Sequence, residues 1–279
     1  MNFALQDPWK PIRSFIDAFN ENRLKRVRPG RIICVDEIMS QWEGKSLKYH
    51  PEGCPHITKM PRKPVSSGME GKCCCDGESG IMLFIEIQEG QKAMGEKQFT
   101  NMYQAHTATV LRCVSNWFYS GRIVVGDAWF GSVSTAKACL EHEMHFIGIV
   151  KQVTKGYPKM IFEKWEETNP KRGSTCFLTT TVNVRDEEHT LMAADWMTKK
   201  GKRIISTCSS GLPGKAFVKT RTKVVDTPDG LREAQTYDVT IDRCKVYEEL
   251  FRSFSVIDVH DHYRQGILEL ERHWQTNVW

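Results

Sequence analysis

A mixed β-sheet with helices on both faces, an α/β fold carrying an inserted subdomain, is the class this sequence predicts. Three observations lead there. The runs Ile32-Ile33-Cys34-Val35 and Ile123-Val124-Val125-Gly126 are short, unbroken and apolar, as strands buried on both faces are. Segments near 69–75 and 81–87 are separated by Asp76-Gly77 and Ser79-Gly80, the punctuation of a hairpin. Helical stripes then alternate with strands, giving the order β, β-hairpin, α, β, α, β.

Each element has its own signal. Trp9, Ile12, Phe15, Ile16 and Phe19 recur at helical spacing and place a helix within residues 1–22. A basic run follows, Arg23, Lys25, Arg26, Arg28 and Arg31, broken by Pro29-Gly30, which marks a boundary. Residues 43–66 hold four prolines and read as loop. Phe99, Met102, Tyr103, His106, Val110, Val114 and Trp117 form one stripe and predict a helix over 99–117. A short helix is expected from Ser134 to His142, and a strand from Phe146 to Val150. Residues 152–201 turn rich in Lys, Glu, Thr and Pro, with a strand-like piece at Thr175–Val184, and read as the insertion. Arg203–Cys208 resumes the core. Residues 209–236, with their Gly, Pro, Lys and Thr, are expected to be an exposed loop. Val256, Val259, Tyr263, Ile267, Leu270 and Trp274 predict a closing helix over 256–274. The parts are therefore 1–29, 30–151, 152–201, 202–265 and 266–279.

Composition narrows the function classes. The chain has 279 residues, 40% hydrophobic and 26% charged, as in an ordinary globular protein. No run of eighteen apolar residues occurs, so no membrane helix is expected, and the N-terminus lacks the pattern of a secretory signal. None of the ten cysteines sits at CxxC spacing, and Cys73, Cys74 and Cys75 are consecutive, which favours reduced thiols over a zinc or disulfide framework. A net charge of +5 permits nucleic acid as a partner without requiring it. His142-Glu143-Met144-His145 has its histidines three apart and does not fit the HExxH pattern; it reads as a helix end leading into a strand.

Three acids stand out by position. Asp36 and Asp127 each end an apolar strand, and Asp258 begins the last helix with Asp261 one turn later. Carboxylates brought together repel one another unless cations neutralise them, and hard divalent ions take such oxygen ligands. Two ions roughly 3.5–4 Å apart would suit in-line displacement at phosphorus. An Asp after a strand is also an ordinary turn residue, and Asp258 an ordinary charge at a helix start.

Resemblance decides between these readings. Asp127-Ala128-Trp129-Phe130-Gly131-Ser132 closely resembles the D-x-W-F-x-S motif of piggyBac-like transposases. Val35-Asp36-Glu37 through Trp42-Glu43-Gly44-Lys45 is similar to the family's first acid segment. Pro61-Arg62-Lys63-Pro64 with Gly68 is similar to its Lys-Pro segment. Ile257-Asp258-Val259-His260-Asp261 resembles its V-D-x-x-D motif, and Asn277 to Trp279 its N-x-W segment. The matches run in order along nearly the whole chain.

The resemblance implies an RNase H-like, retroviral integrase-like core. It implies an Asp36, Asp127 and Asp258 triad for catalysis, with Asp261 as a fourth metal-site acid. It implies two Mg²⁺ or Mn²⁺ ions, cleavage and strand transfer of double-stranded DNA at transposon ends and TTAA targets, a homodimer at full length, and a nuclear location. Residues 1–29 correspond to the end of an N-terminal helical DNA-binding and dimerisation region, and 266–279 to the start of a C-terminal helical region. The family's chains are longer at both ends, so this chain resembles a part of one or a degraded copy. Ser255-Val256-Ile257 stands where the family has Gly-Gly before the third acid, so Asp261 is kept as a second assignment for that role. DNA contacts are expected at Arg26, Arg28, Arg62 and Lys63 through phosphates, and at Trp129 through stacking. A catalytically inactive, transposase-derived DNA-binding protein is the alternative.

Overall fold

A helix, α1 (Lys10–Arg26), is the first element of the computed structural model, which describes residues 7–50, 53–61, 63, 65–151, 153–226 and 232–267. Pro11 sits in its first turn, where a missing N–H costs nothing, and Arg23, Lys25 and Arg26 lie in its last turn, facing the negative end of the helix dipole. Its Asn20 side chain donates to the Ile85 carbonyl and accepts from the Ile85 N–H, both at 2.9 Å. Trp9, just before α1, is buried with Cys54, Met69 and Ile87 in a small satellite core.

Next come β1 (Ile32–Gln41), a two-residue β2 (Thr58–Lys59), β3 (Ser67–Asp76) and β4 (Met82–Ile87). β1 pairs antiparallel with β3, and β3 pairs antiparallel with both β2 and β4. A short α2 (Gln91–Gly95) precedes α3 (Ala105–Val114), which is extended by a 3₁₀ turn at Ser115–Trp117. The predicted helix from residue 99 starts later than its stripe. Phe99 adopts φ 69°, and the Thr100 hydroxyl donates back to the Gly95 and Lys97 carbonyls, so 99–103 forms turns.

β5 (Ile123–Gly126), α4 (Val133–Glu141) and β6 (His145–Ile149) complete a parallel unit with β1. His142–His145 is, as expected, the end of α4 running into β6. The segment 152–201 holds α5 (Lys159–Glu167), β7 (Thr175–Val184) and β8 (Glu187–Met197). β8 pairs with β9 (Gly201–Ser206), and β9 pairs antiparallel with β6. These strands therefore extend the main sheet, whose order is β2-β3-β1-β5-β6-β9-β8-β7 with β4 beside β3.

Residues 209–236 are not an exposed loop. They contain β10 (Phe217–Asp226) and the start of β11 (Arg232–Ile241), a separate two-stranded hairpin. Gly211, Pro213 and Gly214 precede β10, and Pro228 and Gly230 lie between the strands, so the breakers bound the strands and the Val and Thr residues fill them. α6 (Lys245–Ser253) and α7 (Val256–His262) follow, then a π-turn at Tyr263–Ile267. The helix expected to reach residue 274 is seen only to this point; positions 268–279, with Leu270, Trp274 and Asn277, lie outside the described residues.

Alternation along β1 explains the two cores. Ile33 and Val35 join Val110, Val114, Phe130 and Cys139 under α3 and α4. Ile32 and Cys34 join Tyr247, Leu250 and Ile257 under α6 and α7. Both faces are covered, so a run without polar relief is what the first half of β1, Ile32–Val35, requires. All ten cysteines are free thiols, eight of them buried. Desolvation raises the pKa of Cys73, Cys74 and Cys113 well above the ordinary thiol value.

A buried ionic group ties α5 to β8 and β9. Arg203 donates from Nε to Asp195 at 3.1 Å and from Nη2 to Glu166 at 2.7 Å. Burial, then the hydrogen bond with Glu166, pushes the Asp195 carboxyl up to about 7, against the pull of Arg203. Asp195 thus gains a proton on folding at a pH where an unfolded aspartate, near 3.9, is ionised. The sign follows from linkage: stability is highest where both states hold that proton and falls as pH rises from about 4 toward 7. Asp195→Asn, which keeps a donor toward Glu166, is expected to flatten this slope in denaturant unfolding measured across that range.

Candidate active site at the end of the parallel strands

Val35 and Gly126 lie opposite each other in the parallel register of β1 and β5. The next residue of each is an aspartate. Asp127 follows the end of β5, whereas Asp36 lies within β1, which runs on to Gln41 paired with β3. The expectation that Asp36 ends its strand is therefore corrected, and the two acids meet where the parallel pairing stops. Asp36, Glu37 and Asp127 each offer a carboxylate oxygen, and these lie within 4.8 Å of one another. Asp36 and Glu37 are buried. The Glu37 N–H donates to Asp36 Oδ1 at 2.8 Å, which fixes that carboxylate against the strand.

The Asp127 motif is a compact turn in which each residue has a physical task. Asp127 Oδ1 accepts the Trp129 N–H at 2.8 Å, and its carbonyl accepts the N–H groups of Phe130 and Gly131 at 3.1 and 2.9 Å. This is the side-chain-closed turn that aspartate favours. Phe130 is fully buried in the α3/α4 core. A Cβ on Gly131 would stand 1.7 Å from the Ile149 carbonyl oxygen, so only glycine fits against β6. Ser132 caps α4 by accepting the Thr135 N–H at 3.0 Å.

Trp129 is half-buried. The Lys72 ammonium stands 4.0 Å from its ring centroid and pairs with Glu70 at 2.6 Å. These residues, with Glu37, Met60, Asp127 and Lys151, line a cleft of about 440 Å³. The acids and an aromatic face thus open on one space.

Asp258 and Asp261 approach from the other core face, on α7, which packs against β1. Lys63 lies between them and the strand. Its ammonium donates to the Glu37 carbonyl at 2.9 Å, to Asp258 Oδ1 at 2.7 Å and to Asp261 Oδ2 at 3.3 Å. Burial pulls the Lys63 pKa down, but the Asp258 hydrogen bond and the charges of Asp36, Asp261 and Asp258 outweigh it and hold it above the usual lysine value. Asp261 is buried and also accepts from Arg264 at 2.8 Å. Desolvation still lifts its pKa above the ordinary aspartate value. Asp258 is half-exposed, and its carboxylate lies outside the Asp36–Glu37–Asp127 group.

The expected site residues are thus distributed as follows. Asp36 and Asp127 meet directly. Asp258 and Asp261 join them through Lys63, whose ammonium is turned inward onto protein oxygens. Arg26 and Arg28 are exposed at the end of α1 and beyond it. Arg62 lies outside the described residues. Glu37 was missed as a site residue because neighbours in a strand normally face opposite sides; here Asp127, one residue past the end of β5, meets both. Lys72 was also missed: its only sequence signal is its place on the strand opposite Glu37.

The sequence pattern of the family described as Transposase IS4 matches residues 2–275. No curated protein matches. A cryo-EM structure of a piggyBac transposase synaptic complex with hairpin DNA is similar in fold, with a TM-score of 0.64 at 17% identity over 93% of this chain. The match takes in 45% of that chain, so the present sequence spans less than half its length. The likeness is consistent with an RNase H-like core.

Removing Lys63 leaves Asp261 buried with one cation fewer and Asp258 without this partner. Breaking a buried ion pair from one side costs about 3–5 kcal/mol, and the exposure of Asp258 places this case at the lower end. Lys63→Met is therefore expected to lower the thermal midpoint measurably. Glu188, exposed on β8, should tolerate replacement by Gln with little change, and equal midpoints for the two variants would contradict this account.

Proposed function

Since this chain belongs to the Transposase IS4 family and shares its fold with a piggyBac transposase, we propose that it is the catalytic core of a piggyBac-like DNA transposase. It would cut double-stranded DNA at transposon ends and join it at TTAA targets. The observation that carries this reading is the convergence of Asp36, Glu37 and Asp127 within 4.8 Å where the parallel pairing of β1 and β5 ends. Homodimerisation at full length and a nuclear location belong to the same proposal.

The donor set fits a hard divalent cation. It offers only carboxylate oxygens, and the repulsion among them is of the kind a cation relieves. Asp36 and Asp127, with Glu37 beside them and Asp258 and Asp261 across Lys63, are the residues that would hold Mg²⁺ or Mn²⁺, in the two-ion arrangement the family implies. Bound there, the metal supplies Lewis-acid activation of a water or 3′-hydroxyl and neutralises charge at the phosphate. The rest is done by the chain. Gly131 and Ser132 fix the turn that aims Asp127. Lys63 holds Asp258 and Asp261 toward β1. The Trp129 face, backed by Lys72, gives a base a surface on which to stack. Arg26 and Arg28, and Arg62 by sequence, are the proposed phosphate contacts.

A second reading is a transposase-derived DNA-binding protein without catalysis. The engagement of Asp258 and Asp261 by the Lys63 ammonium favours it, because an internal cation already meets these acids. Mn²⁺ titration followed by thermal unfolding separates the two. A ligand at about 100 times its Kd stabilises the folded state by about 2.7 kcal/mol. A rise in midpoint for the wild type, absent in Asp127→Asn, is expected, together with Mn²⁺-dependent nicking of a TTAA-containing duplex. A folded wild type that shows no shift and no nicking makes the binding protein the correct reading.

A further inference from the structure

Six cations, Arg172, Lys199, Lys200, Lys202, Lys219 and Arg221, line a cleft of about 500 Å³ where β8 turns into β9 and the β10–β11 hairpin leans across. No carboxylate lines it. Among the described residues none of the six pairs with an acid. Its floor is apolar: Trp196, Phe217, Ile241 and Phe251. The Lys202 ammonium stands 4.8 Å from the Phe251 ring. Burial and the nearby charge of Lys219 pull the Lys202 pKa below the ordinary lysine value. Like charges are therefore held together here with no carboxylate among them, an arrangement that favours an anion.

The hairpin extends the same pattern. Lys219, Arg221 and Lys223 alternate along β10 and share one face with Phe217. Their partners on β11 are Val239, Tyr237 and Gln235, so that face carries no acid from Phe217 to Lys223. Successive cations are about 6.8 Å apart at strand rise. A row of cations at regular spacing suits a linear polyanion better than a small one.

Placement identifies the polyanion. β9 runs antiparallel to β6, with Ile204 opposite Ile149, so β9 begins at the end of the sheet where β5 and β6 finish. That is the end that carries Asp36 and Asp127. β9 is two strands from β5 and three from β1, about 10–15 Å at the usual strand spacing. The cleft opens on the core face of α6, which is also the face of α7 with Asp258 and Asp261. One turn of duplex rises about 34 Å, so a single duplex at the acids reaches the cleft.

We propose that this cleft and the β10 face bind the sugar-phosphate backbone of the duplex beside the phosphodiester held at the acids. The contact is independent of sequence. Trp196 is buried, and every charged group lining the cleft is a cation, so its charged contacts are with phosphates, which position DNA without reading it. This rests on the DNA-processing reading above.

The test is duplex binding by fluorescence anisotropy across a salt series, for the wild type and for K199Q/K200Q/K219Q. Lys199, Lys200 and Lys219 are exposed, so the variant should keep the wild-type thermal midpoint. Each lost phosphate contact makes the slope of log K against log salt shallower by about 0.9, up to about 2.7 for all three. The loss should be equal for duplexes of unrelated sequence, with the Mn²⁺ shift unchanged. K199Q and K219Q alone, each expected to lose about 0.9, give the same answer if the triple variant does not fold. A variant that binds duplex with wild-type affinity and slope overturns this proposal and leaves the proposed function standing. A wild type that binds no duplex sinks the DNA reading and the proposal with it. A cleft whose mutation weakens only single-stranded RNA overturns it too.

Discussion

Repulsion among carboxylates at one end of a sheet is the constraint around which this molecule is arranged. Asp36, Glu37 and Asp127 share a few ångströms, and Asp258 and Asp261 lie just across β1. Such a group needs positive charge and rigid backbone. Lys63 supplies the first from within, reaching two acids and a carbonyl with one ammonium. The parallel register of β1 and β5 supplies the second, because strands buried on both faces give their ends little freedom to separate. The flanking helices follow from the same need: α7 carries two of the acids, and α4 is capped by the turn that begins at Asp127.

Much of this was legible in the sequence, and the reason is periodicity. Ile32–Val35 and Ile123–Gly126 are long enough and apolar enough to be buried strands, and each run is followed by an acid. The D-x-W-F-x-S resemblance holds because the motif is a physical unit: a side-chain-closed turn, a core aromatic, a glycine against a carbonyl and a helix cap. Such a unit leaves little room for change at any of its positions. Thr175–Val184 was read to its exact ends because β-branched residues dominate it and the breakers lie outside.

What escaped reading was set by tertiary context. The strands of the β10–β11 hairpin look like loop because Gly and Pro lie close on either side and Lys recurs between the Val and Thr residues; their strand character appears only when cross-strand partners are known. α6 has an apolar stripe in Val246, Tyr247 and Leu250, but its position beneath the sheet depends on β8 and β9 having extended that sheet. Glu37 looked like a neighbour on the wrong side of a strand. Lys63 looked like a loop cation for DNA, and no pattern in its segment announces that its ammonium turns inward to the acids. In each case the deciding fact is a long-range approach that local spacing does not encode.

The ten thiols have a consequence of their own. Thiolate, the form that reacts with alkylating reagents, is suppressed where burial holds the pKa high, as at Cys73, Cys74 and Cys113. These three sit in the strand bearing the Asp36 register partner and in the helix behind it. Each is chemically silent while the sheet and α3 stay together. Their reactivity is therefore a clock for local opening of the scaffold beneath the acids, built into the chain and readable with a thiol reagent.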